Sequence, residues 1–349
     1  MRFYIVLFTI IIFLTSCQKE TSVPNSDSYI LEAPVGFPPI TIPEDNPMTK
    51  TGVELGRMLF YDPILSLDSS ISCGTCHNPD KSFSSPLRFN LGVFDSIGRT
   101  NAIALINVAY NPIFLWDGRD PTLEVQALGP IKDPIEMHET LSNVVNKLKN
   151  STKYRQLFEK AFNTTDFNEL HIAKAIAQFE RTILSSDSKI DRLEVFKNNQ
   201  SSAFENESQF SGYQIFFSER GDCFHCHGNI LGTDFLFHNN GLDATIDGTG
   251  LGRISRNSED DGKFKTPTLR NVEFTAPYMH DGRFQTLKQV IDFYSEGLKN
   301  SRTLDPLMKN VANGGVQLTE QEKNDLLEFI LMFSDSSFNN NPALSNPFN

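Results

Sequence analysis

The sequence predicts a mainly α-helical protein built as two tandem, related halves with long loops, and three observations predict it. First, residues 166–184 and 319–333 carry apolar side chains at helical spacing: Leu170, Ala173, Ile176, Ala177, Phe179 and Ile183 in one, Leu326, Leu327, Phe329, Ile330 and Phe333 in the other. Asp166 with Glu169, and Thr319 with Glu322, read as N-terminal capping arrangements. Second, no stretch alternates apolar and polar residues well enough for a major sheet. Third, Leu105-Ile106-Asn107-Val108, Asp117-Gly118-Arg119 and Thr122-Leu123 recur at a constant offset as Leu269-Arg270-Asn271-Val272, Asp281-Gly282-Arg283 and Thr286-Leu287. Each copy is preceded by a glycine and an aromatic run, Gly56-Arg57-Met58-Leu59-Phe60 and Gly212-Tyr213-Gln214-Ile215-Phe216. Internal duplication is the reading. It makes Trp116 equivalent to His280 and Pro130 equivalent to Tyr294.

The elements follow in order. Arg2 precedes an apolar run, Phe3 to Leu14, shorter than the ~20 residues that span a bilayer as a helix, so residues 1–16 read as a signal peptide. Leu14-Thr15-Ser16-Cys17 resembles the bacterial lipoprotein cleavage box, with Cys17 as the lipidated first mature residue; an uncleaved anchor is the alternative. Residues 18–50 hold six of the 18 prolines and read as an extended tether or strap. An N-terminal domain at 51–196, a polar linker at 197–208, a C-terminal domain at 209–335 and a polar tail at 336–349 complete the chain. With 39% hydrophobic and 21% charged residues the chain can bury real cores, which excludes disordered and fibrous classes. A net charge of −12 argues against nucleic acid as a partner.

Five cysteines are too few for a disulfide scaffold in 349 residues. Apart from Cys17 they fall in two C-x-x-C-H runs, Cys73-Gly74-Thr75-Cys76-His77 and Cys223-Phe224-His225-Cys226-His227. Each run has the spacing of a covalent c-type haem site, where two thiols add to two vinyl groups and the adjoining imidazole meets the iron. A zinc site would need its two pairs ~15–20 residues apart and would give the histidines no purpose. The halves are therefore two c-type cytochrome-like haem domains.

Phe114-Leu115-Trp116-Asp117-Gly118-Arg119, Leu123-Glu124-Val125-Gln126-Ala127, Gly129-Pro130-Ile131 and Pro134-Ile135-Glu136-Met137 lie between the two haem motifs, and Leu269-Arg270-Asn271-Val272 to Asp281-Gly282 follows the second. From about residue 51 to 335 this order resembles the bacterial dihaem cytochrome c peroxidases and their relative MauG, which oxidises tryptophans in a partner protein. The resemblance implies hydrogen peroxide as oxidant and a periplasmic setting. It makes Glu136 the distal acid that moves a proton between the peroxide oxygens, Gln126 its polar partner and Trp116, the sole tryptophan, the relay between the haems. On the residues alone Glu136 reads first as a surface carboxylate in a Pro-rich turn and Trp116 as a core aromatic. The resemblance also implies calcium between the domains, held by the Asn101 side chain and the Thr275 and Pro277 carbonyls; oxygen ligands suit that hard cation.

Axial ligands separate the two irons. Neither His nor Met occurs between Asn78 and Glu136, so the first iron is expected to be open to peroxide without reductive activation. At the second haem, the family's electron-conducting peroxidases carry Met where this chain has Tyr294, and MauG carries Tyr. Leu287, Val290, Ile291 and Tyr294 share a helix face, which points the phenol into the pocket; Met279 or no strong ligand are the alternatives. MauG's tryptophan two residues before its second motif is Gly221 here. His138, His171, His225 and His238 read as surface or satisfied core groups, and His280 as lining the second pocket.

Three functions follow: a peroxidase fed by a small cytochrome or cupredoxin, a maturation enzyme acting on a partner protein, and a dihaem electron carrier. The first fits an open iron best. Whether the chain forms a homodimer is not encoded in any of these motifs.

Overall fold

The computed structural model describes residues 27–192 and 204–348; the 1–16 leader, Cys17, the first part of the strap and most of the 197–208 linker lie outside the described residues. In each half a glycine lets two long helices cross in backbone contact. Helix α1 (Lys50–Tyr61) is capped by Thr49, whose side chain accepts from the Gly52 amide, and it buries Leu55, Gly56, Leu59 and Phe60 on one face. Helices α2 (Leu123–Ala127), α3 (Leu141–Asn150), α4 (Thr152–Phe162) and α5 (Glu169–Arg181) follow. Gly56 meets α5 so closely that a Cβ there would lie 1.9 Å from the Ala175 carbonyl oxygen, and one turn on Phe60 packs on Phe179 at 5.2 Å between centroids.

The second half repeats the arrangement with α6 (Glu207–Phe216), α7 (Leu287–Asp292) and α8 (Glu320–Ile330). A Cβ on Gly212 would lie 1.9 Å from the Asp325 carbonyl oxygen, and Phe216 packs on Phe329 at 5.1 Å. The recurring sequence also has a recurring backbone. Asn107 and Asn271, Leu115 and Met279, Gly118 and Gly282 are all left-handed, and the turns close by the bridges Phe114–Asp120 and Tyr278–Phe284. The molecule is mainly helical; among the described residues the one sheet is two-stranded, β1 (Phe237–His238) against β2 (Phe264–Lys265), antiparallel. Among those residues no helix is long and apolar enough to cross a membrane.

The halves meet at a buried polar hub. Asn107 exchanges two hydrogen bonds with the Ser185 backbone, the Ser185 hydroxyl donates to the Asn271 carbonyl oxygen, and Asn271 accepts from the Asp335 amide. Asp335 in turn accepts from the Ser186 and Asp187 amides. The recurring asparagines thus satisfy backbone groups that burial would otherwise leave unpaired.

Several sequence expectations need correction. Helix α5 is capped by Asn168, not by Asp166, which pairs instead with Lys149 at 2.6 Å. Leu170, assigned to the buried stripe, is 59% exposed because the helix starts at Glu169 and its first turn projects past the core. The segment read as linker to residue 208 enters α6 at Glu207, capped by Asn206. The 336–349 tail is polar in composition yet packed: Phe338 and Leu344 are buried against Phe60, Tyr61 and Phe83 of the N-terminal half. Tyr61 donates to the Leu344 carbonyl, and Arg57 to the carbonyls of Ser345 and Pro342. The 27–49 segment does behave as a strap, with Phe37 under the Arg270 guanidinium at 4.7 Å and buried Asn46 bonded to Glu124 and Gln178.

Gly56→Ala and Gly212→Ala should each destabilise the protein by about 3 kcal/mol, since the added methyl must push one backbone off another. The measurement is the urea midpoint, expected to fall at unchanged m-value.

Candidate functional site

The two C-x-x-C-H runs fold alike. Cys73–Cys76 forms one helical turn with the Ser72 amide bonded to the Thr75 hydroxyl, and Phe224–His227 forms the second turn. In each, the histidine amide bonds back to the carbonyl of the first cysteine. His77 Nδ1 lies 2.9 Å from the Phe83 carbonyl oxygen and His227 Nδ1 lies 2.7 Å from that of Gly232. A carbonyl only accepts, so Nδ1 carries the proton and Nε2 keeps its lone pair for a metal. Burial holds both imidazoles below their ordinary pKa, in the neutral, ligating form. The four thiols are unpaired with one another. Burial pushes Cys76 up to about 11 and Cys223 up to about 12, and Cys73 further still. Two thiols and a tautomer-fixed imidazole fit a haem in each half, and a cavity adjoins them at the second run.

The cavity beside the second run is about 260 Å³ and reaches from Cys223, Cys226 and His227 to Trp116 on the seam between the halves. Both candidate axial residues line it. Helix α7 widens after Asp292 into a π-turn, Phe293–Gly297, and this turn carries Tyr294. Such insertions recur at functional sites because they re-aim one side chain. The phenol is partly buried, accepts a hydrogen bond from the Asn240 amide at 3.0 Å, and is pushed by desolvation up to about 12. The same amide sits 3.9 Å from the Met279 sulfur. Tyr294 lines the pocket from this π-turn, beyond the end of the α-helix whose face the sequence pattern described.

Trp116 donates its indole N–H to the Asn101 carbonyl at 2.9 Å, and its own carbonyl accepts from the Lys265 amide at 2.8 Å. Asn101, Thr275 and Pro277 line the cavity together, with the Asn101 amide bonded to the His280 carbonyl. His280 stacks on Phe264 at 3.7 Å between centroids.

Glu136 and Gln126 belong to the other half. Gln126 sits on α2, buried, with Oε1 lacking any partner among the described residues. Burial, then the Asp133 charge, raises the Glu136 carboxyl above the usual carboxylate range, against the opposing pull of Arg119 and Arg99. Its own charge in turn raises both N-terminal thiols, which places it on the Cys73–Cys76 side. A hairpin pins its backbone: the Val93 amide donates to the Glu136 carbonyl at 2.8 Å. Of the remaining histidines, His138 is held by the Pro134 carbonyl and His171 by Asn168, both at the surface. His238 is clamped between Asp234 at 2.8 Å and Asp305 at 2.6 Å.

Three residues escaped the sequence reading. Asn240 and Lys265 carry no local signal, since only the fold brings them to the cavity. Glu180 had one: Glu180-Arg181 interrupts the apolar face of α5. Arg181 pairs with Glu124 at 2.8 Å, whereas Glu180 Oε2 is buried without a hydrogen-bond partner among the described residues, and burial pushes this carboxyl up to about 8.

The chain belongs to the di-haem cytochrome c peroxidase family. The family model matches residues 50–200. The methylamine utilization protein MauG of Methylorubrum extorquens is 36% identical over 293 residues, covering 82% of this chain and 79% of that one. Cytochrome c551 peroxidase of Nitrosomonas europaea is 34% identical over 244 residues, covering 68% and 71%. Among solved structures, a MauG-like protein associated with microbial copper homeostasis superposes with a TM-score of 0.82 at 32% identity, covering 92% of this chain and all of that one. Membership of this family implies two haems.

Glu180 makes stability pH-dependent in a defined direction. Below pH 4.5 its carboxyl is protonated folded and unfolded; between 4.5 and about 8 only the unfolded chain releases the proton, so stability falls as pH rises. Glu180→Gln should remove a loss approaching 1.4 kcal/mol per pH unit across that window. Urea titrations at pH 5 and pH 8 measure it, the variant giving the flatter profile.

Proposed function

We propose that the protein reduces hydrogen peroxide to water with electrons from a small periplasmic redox protein, a cytochrome c or a cupredoxin, through two covalently attached c-type haems. The observation that carries this reading is one motif geometry set in two unequal surroundings. His77 and His227 present the same free Nε2, but Tyr294 stands by one site and its sequence equivalent in the other half is Pro130, which has no ligating atom. One centre is built to stay open and the other to be closed. Common descent of the halves by duplication accounts for the motif they share.

In this reading Cys73 and Cys76 would hold the first haem and Cys223 and Cys226 the second, His77 and His227 would each offer Nε2 to an iron, and Tyr294, or Met279 as its alternative, would be the further ligating residue at the second. The haems supply the redox chemistry: peroxide, two electrons and two protons give two waters. Glu136 takes the proton from the near peroxide oxygen and delivers it to the far one, so that the second leaves as water. A carboxyl held above its usual range by burial keeps the proton long enough to give it back. Gln126, whose Oε1 has no hydrogen-bond partner among the described residues, orients the peroxide or a water beside it. Trp116, fixed by the Asn101 carbonyl, lies between the halves and relays electrons. The Asn101 side chain and the Thr275 and Pro277 carbonyls supply oxygen ligands for a calcium ion on the seam. Cys17 anchors the mature chain by lipid at a membrane facing the periplasm.

A second reading has a specific observation behind it. The Tyr294 phenol beside the second site suits holding an oxidising equivalent, and MauG and a MauG-like protein are among the relatives. The partner would then be a protein whose side chains are oxidised. Gly221, where MauG has a tryptophan, weighs against it.

The test is steady-state oxidation of a reduced small cytochrome by peroxide, using oxidised protein that has never been pre-reduced. Turnover is expected at once, and Glu136→Gln should lower kcat by about 10²–10⁴ at unchanged haem content. No turnover with any reduced donor, together with a long-lived spectral change after peroxide, would transfer the assignment to the second reading.

A further inference from the structure

We propose that Lys265 is a positioning residue: its ammonium pairs with a propionate of the second haem and ties that cofactor to the Trp116 loop. The inference rests on the dihaem reading above and adds a residue that the C-x-x-C-H motifs do not contain.

Lys265 is 2% exposed, on β2, and lines the cavity that Cys223, Cys226 and Trp116 share. Among the described residues its ammonium has no hydrogen-bond or ion-pair partner. The other cations along the same cavity are matched. Arg270 forms a bidentate pair with Asp191, Lys309 pairs with Glu219 and Asp222, and His238 sits between Asp234 and Asp305. Lys265 alone among these three and itself faces the cavity without an anion. Burial is the one influence on its titration, lowering it to about 8, and no carboxylate lies near enough to oppose that.

An ammonium can only donate, and burying one unpaired costs several kcal/mol, so a chain that keeps it there has an anion to meet it. A haem joined through its vinyl groups to Cys223 and Cys226 would bring two carboxylates into the cavity, the anionic groups of its edge. The pairing also has a consequence for position. The Lys265 amide donates to the Trp116 carbonyl, so the residue that holds the carboxylate also fixes the loop of the relay tryptophan.

The experiment uses holoprotein with both haems counted by mass: wild type, Lys265→Arg, Lys265→Leu and, should the leucine variant fold poorly, Lys265→Gln. The readout is the midpoint potential of the second haem by spectroelectrochemistry from pH 5 to pH 9. A paired cation favours the reduced haem and keeps its carboxylate ionised, so the wild-type potential should be high and nearly flat with pH. In Lys265→Leu or Lys265→Gln it should fall at pH 9 and rise as pH drops, because the unpaired carboxylate now takes up a proton on reduction. Lys265→Arg should restore the flat profile. A wild-type profile in Lys265→Leu or Lys265→Gln, with both haems present, would overturn the inference. Wild-type protein expressed with haem-attachment machinery that carries fewer than two haems would instead overturn the dihaem reading on which it stands.

Discussion

The buried hub of Asn107, Ser185, Asn271 and Asp335 is the constraint on which the rest of the molecule depends. Its hydrogen bonds are made across the join between the halves, in a place where no water can substitute for a missing partner. The cavity, Trp116 and the Asn101–His280 backbone contact all lie on that same join. A rotation of one half against the other would break several of these bonds together. The geometry between the two centres is therefore set by directional polar contacts, while the apolar packing of each half is completed within and around its own helix pair.

Within each half a different economy operates. A glycine lets two helices touch, and an aromatic one turn later fills the angle between them. This fixes the loop that carries the thiols: Gly74, between the first pair of cysteines, already lies against the Tyr61 ring at the end of α1. The imidazole that follows is then oriented by a carbonyl five or six residues further on. Local backbone bonds, not distant packing, choose its tautomer.

Much of the local structure was legible because capping and turn chemistry leaves short motifs. The C-x-x-C-H runs, the repeated asparagine and Asp-Gly-Arg turns, and the Thr319–Glu322 capping box all act over a few residues, and each has the form the spacing implied. The cap of α5 was misread because Asp166 and Asn168 are both competent caps, and only the neighbouring Lys149 decides which one is drawn away. The tail was misread for a related reason. Two apolar residues, Phe338 and Leu344, are enough to anchor a polar segment when a groove awaits them, and composition does not record the groove. Asn240 and Lys265 were invisible because their meaning lies entirely in what the fold sets opposite them.

The packed tail has a consequence for the order of events during biosynthesis. Phe338 and Leu344 complete an aromatic cluster whose other members, Phe60, Tyr61 and Phe83, are made more than 250 residues earlier in the chain. Nascent protein emerges from its N-terminus, so this half waits for the last segment to be translated before its hydrophobic interior can close. Cys73 packs against that interior, so the segment translated last also completes the surroundings of a thiol translated among the first.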